Sequence, residues 1–145
     1  MAMRARASLF QESGQLEEAE ALYKEAIALG ERAFGTGHPD LAVCYNNLAA
    51  LLKTKGQLDR AEPYLLRSLQ ICERSLDKSH EGFRVVLSAL VDLEIKRGRP
   101  VHARRWAKTL IPLLERFEGT EAAYHWRQRI EEGTRQGGLG QNCTR

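Results

Sequence analysis

The sequence predicts an all-α fold in which helical hairpins stack side by side, three of them closed off by one further helix. Three observations carry this. Gly14, Gly56 and Gly98 recur at a constant step of 42 residues. Ala19, Ala61 and Ala103 keep the same step, as do the pairs Gln15-Leu16 and Gln57-Leu58 and the histidines His38 and His80. Between these markers, apolar residues fall at the 3.6-residue spacing of helices. A period of this size marks an array, because one short hairpin cannot bury its own apolar face without a neighbour. Arrays of this kind bind far more often than they catalyse.

The first hairpin is expected at about 2–34, the second at 41–76 and the third at 83–117. In the second, Tyr45, Leu48, Ala49 and Leu52 form the buried stripe of one helix. Gly56 ends it by supplying the positive φ that a helix terminus needs. Leu58, Ala61, Leu65, Leu69 and Cys72 then mark the partner helix, with Ala61 small enough to let the two axes approach. His38-Pro39-Asp40 is a stop and restart, since Pro39 cannot extend a helix but suits the first turn of the next. Ser79-His80-Glu81 holds the equivalent place. Pro63 falls early in its helix, whereas Pro112 lies deep in the last long helix and is expected to bend it. A closing helix is expected at about 120–132, with Ala123, Trp126 and Ile130 inward. The array thus spans 1–132, and the glycine-rich, aperiodic residues 133–145 read as a disordered tail.

Composition narrows the function. With 43% hydrophobic and 28% charged residues the chain is an ordinary soluble domain, and no apolar run approaches membrane-spanning length. Met1-Ala2-Met3-Arg4-Ala5-Arg6 is not followed by an apolar stretch, so no secretory signal is expected and cytoplasmic residence is. Cys44, Cys72 and Cys143 are odd in number and widely spaced, which argues against disulfides or zinc. Cys44 and Cys72 read as packing residues. The net charge of +3 selects no partner, but between Glu94 and Glu115 there is no acid, while Lys96, Arg97, Arg99, Arg104, Arg105 and Lys108 are all cationic. A solvated face explains this better than nucleic acid, which is not an expected partner.

No enzyme is expected. His38 and His80 recur with the period as linker elements; His102 and His125 have no acid or cysteine at ligand spacing. No nucleophile motif, phosphate loop or carboxylate pair occurs, and no cofactor or metal is expected. Trp106 and Trp126 read as plugs at the end of the array.

Gly37-His38-Pro39-Asp40-Leu41-Ala42, Tyr45-Asn46-Asn47-Leu48-Ala49, Gly56 and Ala61-Glu62-Pro63 together resemble one unit of the tetratricopeptide repeat, in the 42-residue variety of kinesin light chains. The resemblance spans residues 1–118 and is strongest over 14–76. It implies a right-handed superhelix whose first helices line a concave groove holding an extended peptide or short helix. Position by position, the groove residues would be Arg4, Ser8, Gln11 and Glu12 in the first unit and Val43, Asn46, Ala50, Lys53 and Thr54 in the second. In the third they would be Ser88, Asp92, Ile95 and Lys96. The amide of Asn46 can pair with any peptide backbone, but its counterparts are Arg4 and Ser88, so an asparagine ladder has one rung. Asn47 is expected to join neighbouring hairpins. Lys53 and Lys96 would favour an acidic protein or peptide partner. The alternative is a self-associating segment, or one attached to further domains, with a structural role in assembly.

Overall fold

The computed structural model describes residues 2–75 and 80–139. Seven helices are present: α1 (Ala2–Glu12), α2 (Leu16–Phe34), α3 (Pro39–Thr54), α4 (Leu58–Ser75), α5 (Glu81–Lys96), α6 (Pro100–Phe117) and α7 (Thr120–Leu139). Among the described residues there is no strand. The chain divides into two compact units, Met1–Val86 and Leu87–Arg145, with the division inside α5.

The glycine period is a period of helix ends. Gly14, Gly56 and Gly98 have φ of 80°, 73° and 68°, which a side-chain-bearing residue adopts only with strain. After each, the next residue donates its N–H to the carbonyl five residues back: Gln15 to Phe10 and Gln57 to Leu52 at 2.9 Å, Arg99 to Glu94 at 2.8 Å. That closure satisfies carbonyls that the helix leaves open. The period of the histidines is a period of helix starts. His38 Nδ1 accepts the N–H of Asp40 at 3.3 Å, and His80 Nδ1 accepts that of Gly82 at 3.1 Å. The imidazole does the work of an N-cap side chain, with Pro39 in the first turn where its missing N–H costs nothing.

In the unit Met1–Val86, α1 pairs with α2, α2 with α3 and α3 with α4. Ala19 and Ala61 are fully buried, as is Ala103 in the other unit, so the alanine period marks close helix approach. α3 is covered on most sides, with Leu48, Ala49, Leu51 and Leu52 at 0% exposure. Gly30 lets α2 meet α3 closely: a Cβ there would stand 2.7 Å from Leu41 Cδ2. Cys44 and Cys72 are buried thiols, both pushed above the ordinary thiol range by desolvation. Cys143 and Ser79 lie outside the described residues.

A second bond between the first two hairpins is ionic. Glu20, 8% exposed on α2, receives Lys24 Nζ at 2.7 Å, Lys55 Nζ at 2.7 Å and Arg60 of α4 at 2.8 Å. Hydrogen bonds from Lys24 and Lys55, against the opposing pull of burial, hold its carboxyl down at about 2. Three cations around one carboxylate compensate the cost of removing it from water.

In the unit Leu87–Arg145, α6 packs on α7. Here the expected boundary is corrected. The closing helix does not stop near 132 but runs to Leu139, so residues 133–139 of the expected tail are helical; 140–145 lie outside the described residues. Within this stretch Gly133 lies against Ile95 of α5, where an added Cβ would stand 3.2 Å from Cγ2. A glycine that read as a helix breaker is a close-approach residue.

Candidate peptide-binding groove

The expected groove residues separate into three groups. Val43 and Asn46 lie in a cleft of about 450 Å³ within the unit Met1–Val86. α3 supplies Pro39, Asp40, Ala42, Val43, Asn46 and Asn47, α4 supplies Cys72, and the start of α5 supplies Glu81, Gly82, Val85 and Val86, with His80 just before it. Val43 and Val85 are one repeat apart and both 44% exposed. The amides of Asn46 and Asn47 find no side-chain hydrogen bond among the described residues. Asn47, expected to join hairpins, therefore stands beside Asn46 in the cleft. Asp40 and Glu81 add two carboxylates to its lining.

The second group is already engaged. Ser8 Oγ bonds its own helix at the Arg4 carbonyl and meets the Tyr23 hydroxyl at 3.0 Å; Tyr23 also donates to Gln11 Oε1 at 3.4 Å. These side chains tie α1 to α2. Lys53 is half-buried and held in an interaction inside the protein. Ala50 is half-buried beside it, and Thr54 bonds the Ala50 carbonyl at 3.1 Å. Arg4 lines a separate cleft of about 270 Å³ with Gly30, Phe34, Leu41 and Cys44, so it does not share the Asn46 cleft.

The third group belongs to the unit Leu87–Arg145. Asp92 accepts a hydrogen bond from Arg129 of α7 and lies 3.2 Å from Lys96 Nζ. Arg129 in turn stacks over Trp126, 4.6 Å from the ring centroid. Ile95 is met by Gly133. Part of the α5 face that sequence assigns to a ligand is therefore engaged by α7, and Ser88 is half-buried on it. The 96–108 cationic run is also broken up. Arg97 is half-buried and donates to Glu94 Oε1 at 3.1 Å, and Arg104 donates to Thr134 Oγ1 at 3.2 Å. Sequence reasoning missed the Arg104–Thr134 and Asp92–Arg129 engagements because the partners lie 30 and 37 residues apart, off the repeat interval.

A family model described as the tetratricopeptide repeat matches residues 1–74 and again 45–116. Among solved structures, BtubC (BKLC) from P. vanneervenii superposes with a TM-score of 0.76 at 16% identity, over 99% of this chain. A putative kinesin light chain from Podospora anserina with nearly identical repeats gives 0.72 at 18% identity, again over 99% of this chain. The chain spans 64% of the first protein and 76% of the second. No curated protein matches the sequence. At these identities the likeness is one of fold.

Proposed function

The chain belongs to the tetratricopeptide repeat family, with repeats of the kinesin light chain kind, and we propose that it is a protein-interaction scaffold holding a peptide or partner helix against α3 and the first turns of α5. One observation carries this reading. Val43 and Val85, equivalent residues of successive repeats, leave apolar surface open in a single cleft beside the Asn46 amide. Exposed apolar surface gives affinity, and an amide with both donor and acceptor reads a backbone whatever its sequence. The carboxylates Asp40 and Glu81 in the lining favour a neutral or basic segment. The reading includes no catalysis and no cofactor, and places the protein in the cytoplasm. No helix among the described residues is long and apolar enough to cross a membrane.

The test is a binding comparison. Val43→Asp, and separately Asn46→Ala with Lys53→Ala, are expected to weaken capture of bound partners at least tenfold. Partners retained in full by both variants would place the site elsewhere. A second reading, self-association, is favoured by α1, where Leu9 is 64% exposed beside Phe10. Light scattering that gives a strict monomer at high concentration would remove it.

A further inference from the structure

Two histidines stand where the walls of the Asn46 cleft begin. His38 immediately precedes α3 and His80 immediately precedes α5, one repeat interval apart. His80 lines the cleft itself, and the first two turns after the rings supply Asp40, Val43, Gly82 and Val85 to it. Each ring caps its helix through Nδ1, which accepts the N–H of the residue two positions on, at 3.3 Å for Asp40 and 3.1 Å for Gly82.

Serine, threonine, asparagine and aspartate are the usual residues at this place, and their oxygens accept at neutral and mildly acid pH alike. An imidazole does not. The neutral ring offers one acceptor nitrogen, and the protonated ring offers none, because both nitrogens then carry hydrogen. Protonation also sets one N–H against another and places a cation at the positive end of a helix. Histidine changes charge between about pH 5 and 8. The cap is therefore present above that range and lost as pH falls through it.

The surroundings decide which cap gives way more completely. His38 Nδ1 lies 3.8 Å from Asp40 Oδ2, so the protonated ring can turn its new N–H onto that carboxylate and keep a hold on the turn. From the neighbouring helices it meets groups that do not titrate. These are the Phe34 ring of α2, 4.8 Å between centroids, and Ser75 of α4, whose Oγ bonds the carbonyl of Gly37 beside it. His80 shares the cleft lining with Asp40, Glu81 and Cys72, but among the described residues no carboxylate pairs with its ring. Burial pushes the Cys72 thiol up, and it stays neutral throughout.

We propose that His38 and His80 form a proton-operated latch on the Asn46 cleft: neutral rings fasten the first turns of α3 and α5, and protonated rings release them while offsetting the negative charge of the lining. Release of a bound basic segment in mild acid follows from this latch together with the binding reading above, on which that consequence rests. The latch itself needs no partner.

The test therefore uses the full chain alone. Asparagine caps a helix and does not titrate, so His38→Asn, His80→Asn and the double variant isolate the proton. Amide hydrogen exchange of Asp40 and Gly82 is followed by NMR between about pH 7.5 and 5, each rate corrected for its intrinsic pH dependence. Protection of the Gly82 N–H is expected to fall about tenfold as the His80 ring protonates, and that of the Asp40 N–H about threefold, because the Asp40 carboxylate holds the His38 ring. In the double variant both are expected to stay level, and circular dichroism checks that it is folded. Constant protection of Gly82 while the His80 ring protonates, or the same losses in the double variant as in the native chain, would overturn the proposal. Partners retained in full by Val43→Asp would instead displace the binding site and leave the exchange result standing, so the two failures are told apart.

Discussion

The α2–α3 surface and the α6–α7 surface are built from equivalent positions and differ in what lies on them. On the first, α4 packs on α3 and its Arg60 completes a three-cation shell around Glu20. On the second, Ile111 is only half-buried and Arg104 turns to the hydroxyl of Thr134. The difference teaches that a repeat's stability resides in its cover as much as in its own residues. The same apolar side chain contributes several kcal/mol when a neighbour closes over it and a fraction of that at an edge.

Truncation breaks this comparison most directly. Leu48→Ala, at 0% exposure under α4, is expected to cost about 2–5 kcal/mol, while Ile111→Ala on the α6–α7 surface costs under about 1 kcal/mol. Urea denaturation of the two variants measures both, and equal costs would mean that cover contributes nothing.

The next effect is ionic. The carboxyl of Glu20 sits at about 2 in the fold against an ordinary 4.5. Its contribution is therefore fully present above about pH 4.5 and is lost as pH falls toward 2. On the order of 1–3 kcal/mol should disappear over that window, and Glu20→Gln should lower stability at pH 7 by a similar amount while flattening the acid limb. An unchanged acid limb in the Gln variant would show that other carboxylates govern it.

Turn chemistry comes third. Gly56→Ala forces a side chain to φ of 73° and should cost about 1–2 kcal/mol, with Gly14→Ala, at the edge of the array, costing less. His38→Ala removes only the cap to the Asp40 N–H, and about 0.5–1 kcal/mol is expected. Thermal melts at fixed pH resolve both.

Much of the fold was legible in the sequence because the period encodes backbone needs. Glycine at positive φ, alanine at close approach and histidine before a helix each recur for a local reason, and each is found in its expected kind of place. The groove was less legible. Val43 and Asn46 do share a cleft, but Ser8 and Gln11 are bound by Tyr23 and Asp92 by Arg129. Whether a polar side chain on a helix face is open depends on what another helix brings to it, and no count along one chain reveals that. Glu20 escaped notice for the same reason, since Lys55 and Arg60 lie 35 and 40 residues beyond it.

The connection at 118–119, before α7, is two residues shorter than that at 35–38, and this has a consequence of its own. Each residue turns an α-helix by roughly 100°, so removing two rotates the following helix by about 200° relative to a strict repeat. Counting by the plain interval would aim His125 and Glu132 at the interior; the deletion aims Ala123 and Ile130 there instead. Linker length thus works as a dial on helix phase, letting an ordinary stretch of chain present its oily side where a regular repeat would have presented its charged one.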